Sequence, residues 1–562
     1  MNILGVSAFF HDAAACLLQD GKLIAAASEE RFTRIKNDSS FPVNAVEYCL
    51  REGKIIIDDV DYVIFYEKPF RKFDRILTTC FASYPGSIRA FLKELPAWLK
   101  QKLWMPRLIE HELHYEGPIL FCDHQLSHAA AAFLLSPFEQ AAILTVDSRG
   151  EWDTASYGLG NGTKIDLHKI IRYPHSLGLL YSAFTYYLGF NVNSDEYKVM
   201  ELASYGTPRF IDKVKQLIDI REDGSFKLNL KFFGYHHSSR MTNARFHRLF
   251  GGPPRILGEE IKEFHVDIAA SIQSVIEEIL LKIAQHLHRE TGLSDLCFAG
   301  GLAFNCYVNG KLLRETPFKN LHIQPAAGDA GAAIGAACFA HNSLLKNKQR
   351  HELMHLYLGP GFHTDEIKLF LSNEGISFME YHSEQLVEKT AALIAEDKVI
   401  GWFHGRMEFG PRGLGNRGIL ANPGNAGMKN ILIKKIKSGK DFLPIAAAIL
   451  QEDAAEYFEF DRVSPLMSFV AQVRDEKRAE IPAVTHVDGS ARLQIVNREQ
   501  NPLFYRLLEA FKRKTGCPVL INTSFNLCEE PIVCTPREAF RFFQETEMDC
   551  LVMGNCLIEK QG

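Results

Sequence analysis

Asn2-Ile-Leu-Gly-Val-Ser-Ala-Phe-Phe-His-Asp-Ala-Ala-Ala-Cys-Leu-Leu-Gln19 decides the fold. Residues 2–8 read as a short buried strand, Phe9–Asp12 as a turn carrying His11 and Asp12, and Ala13–Leu18 as a return strand. The Asp20-Gly21 pair is a hairpin signal and leads into a third strand, Lys22 to Ser28. Roughly 140 residues on, the pattern returns. An apolar strand at Ala141–Asp147 meets the turn Asp147-Ser148-Arg149-Gly150-Glu151, and a strand follows at Thr154–Leu159. Two strand–acidic turn–strand units predict an internally duplicated α/β fold, each turn holding an acid near a phosphate or a metal.

The 562 residues exceed the size at which one core stops growing, so two or more domains are expected. A net charge of -5 and the lack of any lysine/arginine-dense block argue against nucleic acid as a partner. The 12 cysteines are scattered, with no Cys-x-x-Cys pair, and read as reduced thiols of a cytoplasmic protein. The beginning Met-Asn-Ile-Leu-Gly-Val-Ser has no basic segment, and no run of 18 apolar residues exists, so neither a leader nor a membrane span is expected.

Working outward, Ile119–Phe121 reads as a strand before a helix carrying His124 and His128. Four residues apart, the imidazoles share one helical face and can bind one metal ion. By itself the pair is equally two histidines on a polar face. Ile261–Thr291 reads as a core helix ended by Gly292. Leu296–Gly301 is a strand ending in Gly300 and Gly301, where a ligand can approach bare backbone, with Asn305 and Asn309 one turn apart in the next helix. Asp329 stands at the start of a small-residue helix, either an N-cap or a carboxylate serving a metal or nucleotide.

The polar stretch 341–356 reads as a linker, with domains 1–345 and 346–562. In the second, helix 384–396 precedes strand Val399–Phe403. Gly405–Arg417 sets Arg406, Arg412 and Arg417 among glycines, a cationic loop suited to phosphates. A lysine-rich helix 427–437 follows. Arg492 falls in a strand, and Asn522-Thr523-Ser524-Phe525-Asn526 reads as a polar turn able to bind a nucleotide or simply to satisfy itself.

Ordered blocks carry a resemblance across nearly the whole chain. They are His11–Ala15, Glu30–Arg34, His124–Ala130, Pro174–Tyr181, Glu196–Met200, Ala299–Gly301, Pro325–Gly331, Gly401-Trp402 with Gly410–Arg412, Asn522–Asn526 and Glu530–Val533. Together they resemble the bacterial O-carbamoyltransferases of antibiotic and nodulation-factor biosynthesis. That resemblance implies an N-terminal actin/sugar-kinase-like domain similar to tRNA threonylcarbamoyl transferase. It implies a C-terminal α/β domain similar to threonylcarbamoyl-AMP synthase. The implied chemistry has two steps: carbamoyl phosphate and ATP, taken with Mg2+, give carbamoyl-AMP and pyrophosphate, and the carbamoyl group then passes to a hydroxyl of a small-molecule acceptor. The family's metal, iron or another divalent ion, matches His124, His128 and Asp329. His11 matches a general base, an imidazole suited to neutral pH, with Asp12 and Lys36 beside it as catalytic positions. Asp147, Gly300, Gly301, Asn305 and Gly328 match nucleotide and carbamoyl contacts. Arg412, Lys437, Arg492 and Ser524 match carbamoyl phosphate and ATP contacts, with Asn522 and Asn526 in the same turn. A homodimer stays open, and the insertion between Lys68 and Glu116, with Trp98 and Trp104, is read as shaping the acceptor pocket.

Departures cluster in the second domain. Leu443 replaces a phosphate-binding arginine, Gly418 a serine, and Glu529 adds an acid. In the first, Asp147-Ser148-Arg149-Gly150-Glu151 stands for Asp-Gly-x-Gly-Glu, and Glu201 replaces a glycine. Besides an active carbamoyltransferase, the sequence admits a paralogue dependent on a partner or acting as a scaffold, and an actin-fold kinase or ATPase.

Overall fold

The computed structural model describes residues 1–238, 240–437, 445–460, 462, 466–527 and 529–560, except the side chains of Ala90, Glu94 and Lys437. The chain forms two compact units, Met1–Glu29 with Ser39–Leu353, and Glu30–Asp38 with Met354–Gly562.

Apolar runs build the first unit's two five-stranded sheets. Strands β1 (Asn2–Ser7), β2 (Ala14–Gln19), β3 (Lys22–Ser28), β4 (Tyr62–Phe65) and β5 (Ile119–Phe121) lie in the order β3-β2-β1-β4-β5. The second sheet holds β6 (Gln140–Val146), β7 (Asp153–Asn161), β8 (Lys164–Arg172) and strands Asp295–Ala299 and Asn320–Ile323. Its order is β8-β7-β6, then Asp295–Ala299, then Asn320–Ile323. In each sheet the first three strands pair antiparallel and the last two join in parallel. The same order and the same senses occur twice, so the expected duplication is present. His11–Asp12 and Asp147–Glu151 occupy the equivalent turns after the first strand of each half.

Helix Asp329–Phe339 lies against helix His124–Phe133 and strand β1. Small residues make this possible: a Cβ on Gly335 would fall 1.8 Å from the Ser127 carbonyl oxygen. Such close packing brings the starts of both helices together. The insertion folds as helices Pro69–Ala82, Ile88–Lys100 and Met105–Leu113, with Trp98 buried against Phe73 and Trp104 half exposed.

The second unit is one nine-stranded mixed sheet. Its order is Met379–Glu380, Cys556–Glu559, Cys550–Met553, Ile400–Phe403, Arg417–Ala421, Val519–Ser524, Ala446–Leu450, Ser490–Val496, Phe469–Gln472. Alternate side chains feed two cores: Ile400, Trp402 and Leu420 pack with Phe504, Leu507 and Leu508, while Phe403, Ile419 and Ala421 pack with Met428, Leu432 and Phe542. The block Glu30–Arg34, read with the first domain, folds here instead. Arg31 donates to the Gly410 carbonyl at 2.8 Å, and Arg34 to the Pro531 and Ile532 carbonyls at 2.8 Å. Asn522, Thr523 and Ser524 are strand rather than turn.

Candidate functional site

Side chains of His124, His128, Asp147 and Asp329 converge at one buried point of the first unit, with ligand atoms within 4.8 Å of one another. Each arrives from a well-determined place. His124 and Asp329 are the first residues of their helices, and Asp147 ends the run from β6. Gly328 holds the cap position, so Asp329 is freed from capping and turns its carboxylate inward. His124 Nε2 lies 3.0 Å from Asp147 Oδ2 and 3.2 Å from His128 Nε2. Asp329 Oδ1 is 3.8 Å from His124 Nε2 and 3.7 Å from His128 Nε2, and no hydrogen bond satisfies it.

Two imidazole nitrogens and two carboxylate oxygens around one point make a donor set suited to a divalent cation. Ligands about 2.1 Å from one ion lie about 3.0–3.4 Å apart, which the two shortest separations match. The cluster therefore fits a metal, and it is larger than the triad read from sequence. Asp147, expected as a nucleotide contact, is a fourth member. Its other oxygen, Oδ1, accepts the Gly301 amide at 3.0 Å.

Neighbouring groups hold this set in place. Glu151 accepts the His124 amide at the helix start and the Lys68 amide at 2.8 Å. Tyr66, fully buried, donates to Asp329 Oδ2 at 3.3 Å. Tyr66 does not stand out in the sequence, its position right after β4 being the one signal, whereas Glu151 stands out only as the end of the acidic turn. Burial alone pulls the His124 imidazole down, but the Asp147 hydrogen bond and the Asp329 charge outweigh it and hold the pKa at about 9. The imidazoles in turn lower both carboxylates, Asp147 chiefly through the His124 hydrogen bond and Asp329 first through the His11 charge and then the His128 hydrogen bond.

His11 lies beside this cluster and shares a 2.9 Å hydrogen bond between Nδ1 and Asp12 Oδ2. Burial favours its neutral form, yet Asp329, Asp12 and Asp147 push it up to about 10. With these charges uncompensated its protonated form is favoured. Gly300 takes φ +91°, and a Cβ there would fall 2.3 Å from the Val146 carbonyl oxygen, so glycine is required by the β6 contact itself. Asn305, expected at the nucleotide, caps its own helix through the Val308 amide and exchanges hydrogen bonds with Gln273. Lys36 lies in segment 30–38 and folds with the second unit.

In that unit the cationic loop is differently built than expected. Glu408 Oε1 accepts the amides of Leu414, Asn416 and Arg417 at 2.6, 2.7 and 3.1 Å. Arg417 is fully buried, stacks on Phe403 and donates to the His404, Asn416, Pro360 and Gly405 carbonyls. Arg406 donates to Leu358 and Gly359 carbonyls. Two of the three arginines thus shape the loop, while Arg412 is half-buried and Arg492 is buried in its strand. Ser524 Oγ accepts the Gly413 amide, Asn522 donates to Gln494 and to the Gly413 carbonyl, and Asn526 donates to the Leu527 and Glu530 carbonyls. A Cβ at Gly418 would meet Asn522 Oδ1 at 2.5 Å, so a serine here would require the Asn522 side chain to shift. The Lys437 side chain, Leu443 and Cys528 lie outside the described residues.

Comparison with known proteins places this geometry. The profile described as carbamoyltransferase N-terminus matches residues 2–338, and the one described as carbamoyltransferase C-terminus matches residues 391–560. The chain belongs to the carbamoyltransferase family. Similar to this carbamoyltransferase is the uncharacterized protein sll1178 of Synechocystis, 46% identical over 100% of this chain and 97% of that protein. Nodulation protein NolNO of Sinorhizobium fredii is 37% identical over 98% of this chain and 79% of its own length. Nodulation protein NolO of Bradyrhizobium diazoefficiens is 37% identical over 78% and 79%. Among solved structures, full-length HypF in its phosphate- and nucleotide-bound form covers 62% of this chain and 56% of its own at 12% identity and a TM-score of 0.32, too slight a likeness to bear on function. Among the described residues of the carbamoyltransferase no helix is long and apolar enough to cross a membrane.

Proposed function

We propose that the chain is an ATP-dependent O-carbamoyltransferase acting on a hydroxylated small molecule, as in natural-product biosynthesis. The observation that carries this reading is the buried His124–His128–Asp147–Asp329 cluster, with the His11–Asp12 pair beside it, in a chain whose residues 2–338 and 391–560 match the family's two profiles.

In this reading the second unit makes the activated donor. Carbamoyl phosphate, ATP and water give carbamoyl-AMP, pyrophosphate and phosphate, so the carbonyl carbon acquires AMP as its leaving group. Arg412, Arg492 and Ser524, with Lys437, are its proposed anion contacts, and Asn522 and Asn526 hold their loop. In the first unit the acceptor oxygen bonds to the carbamoyl carbon, the bond to AMP breaks, and AMP departs. His124, His128, Asp147 and Asp329 would hold a divalent ion, iron in the reading adopted here, which supplies Lewis acidity when bound. His11 in its neutral form is the proposed base. With Nδ1 engaged by Asp12, its Nε2 then accepts the hydroxyl proton. Gly300 and Gly301 border the nucleotide in this arrangement, and Tyr66 and Glu151 keep the ligands oriented. The protein works in the cytoplasm.

Incubation with ATP and carbamoyl phosphate, without acceptor, tests the first step: pyrophosphate release that requires carbamoyl phosphate is expected, and ADP formation instead would point to a kinase. One observation favours a second reading. Glu408 occupies three loop amides that a phosphate would use. A chain with an impaired adenylation half would release no pyrophosphate yet still consume carbamoyl-AMP made by a partner.

A further inference from the structure

Arg75 lies on helix Pro69–Ala82 and is 4% exposed. Its guanidinium makes no hydrogen bond and no ion pair with any described residue, and Nε is buried without a partner. One contact steadies it, the face of Tyr173 at 4.7 Å. A buried charge without a counter-ion is costly, and proteins keep one where a ligand supplies the opposite charge.

The nearby carboxylates are already committed. Both oxygens of Glu67 hold the Lys72 ammonium, at 2.9 and 2.6 Å. Glu151 is spent on the amides of Lys68 and His124. A second cation stands beside the same helix, on the Phe10 ring that Lys72 also faces at 5.3 Å. Arg149, half-buried, stacks on Phe10 at 4.9 Å and likewise has no acid of its own. Burial first, and then the Arg149 charge, bring Arg75 down to about 10. Two guanidinium groups in one neighbourhood, neither paired with an acid, suit a carboxylate or a phosphate.

Position says which reactant brings it. Phe10, under Arg149, has its ring 4.4 Å from that of His11, the group proposed to take the hydroxyl proton.

We propose that Arg75 and Arg149 form an anion-binding subsite that takes a carboxylate or phosphate group carried by the hydroxyl acceptor. Only the ligand's role as acceptor rests on the carbamoyl-transfer reading; an anion site there stands or falls by binding alone. The acceptor class is thus an acidic hydroxylated molecule, such as a uronic acid or a sugar phosphate, rather than a polyamine.

Calorimetric titration of the full-length chain with inorganic phosphate tests the site, with Arg75→Gln and Arg149→Gln as variants. Saturable binding is expected, weakened at least tenfold by either substitution. Should Arg75→Gln fail to fold, Arg149→Gln, at a partly exposed position, gives the same readout. Glucuronate should compete with phosphate, glucose should not, and AMP affinity should stay unchanged in both variants. Phosphate binding untouched by both substitutions would overturn the subsite. AMP affinity falling in the variants while glucuronate fails to compete would assign the anion to the donor nucleotide and overturn the acceptor assignment. Pyrophosphate release in the absence of acceptor is read separately, so loss of the adenylation reading leaves this result interpretable.

Discussion

The Nε2 atoms of His124 and His128 face one another across 3.2 Å in a site closed to solvent. Two imidazole nitrogens so placed can share at most one proton, and neither Nδ1 has a hydrogen-bond partner. A cation between them and the two aspartates resolves the conflict. One divalent ion per chain is expected by mass spectrometric metal analysis. Asp147→Asn should weaken retention as much as His128→Ala, whereas Tyr66→Phe, which removes one support of Asp329, should cost about tenfold in affinity. Metal content unchanged in His128→Ala would remove the cluster from consideration. Because His124 is protonated up to about pH 9 without metal, loading should release a proton at neutral pH and weaken as the solution is acidified.

Gly335→Ala should damage the site from a distance. The new methyl carbon would meet the Ser127 carbonyl at 1.8 Å and wedge apart the helices that deliver His124, His128 and Asp329. A stability loss of about 3 kcal/mol is expected, together with poorer metal retention, both measurable by thermal unfolding with and without the ion. A variant of wild-type stability would mean that the helices separate freely.

Glu408 is the pivot of the glycine-rich loop. Replacing it with Ala withdraws an acceptor from three amides, each charge-assisted bond being worth about 1.5–3 kcal/mol. Hydrogen exchange should accelerate at Leu414, Asn416 and Arg417 and leave strand Val519–Ser524 protected. Uniform exchange across both regions would show that the loop is held by something else.

Acid should weaken the second unit through His404. Burial, then the Arg417 charge, lower its pKa to about 3, so the folded state refuses a proton that the unfolded chain accepts below about 6.5. Stability is fully present above that pH and falls at about 1.4 kcal/mol per pH unit as the solution is acidified toward 3. Equilibrium unfolding of His404→Gln should show a slope shallower by about one proton, the remainder coming from His486, lowered to about 4. An identical slope would place the linkage elsewhere.

How far the sequence reached follows from how local each signal is. Acidic turns after buried strands are local patterns, and the duplicated halves built on His11–Asp12 and Asp147–Glu151 were legible from them. The His124–His128 spacing is also local, and its partner Asp329 came only through resemblance. Asp147 reads as an acid near a phosphate or a metal and, through the resemblance, as a nucleotide contact, while nothing in its neighbourhood along the chain says that it meets helices starting at 124 and 329. Tyr66 acts through a contact across the fold that only its place after β4 hints at, and Glu151 shows in the sequence as the end of the acidic turn but not as the acceptor of the His124 and Lys68 amides. The arginine loop misled for a related reason. Composition counts charges, and it cannot show that Arg406 and Arg417 turn inward to carbonyls or that Glu408 takes the amides. Likewise Glu30–Arg34 reads as part of the first domain by position, while its hydrogen bonds lie with Gly410, Pro531 and Ile532.

The fate of the carbamoyl carbon tests the central claim most directly. Carbon-labelled carbamoyl phosphate, ATP and Mg2+ are given to the metal-loaded protein with a panel of neutral and acidic hydroxylated acceptors, and label, AMP and pyrophosphate are followed together. The account predicts label in a carbamate ester, with AMP and pyrophosphate formed in equal amounts and the transfer lost on metal removal. Label recovered only as carbamoyl phosphate and its hydrolysis products, with ADP as the sole nucleotide product, would contradict it.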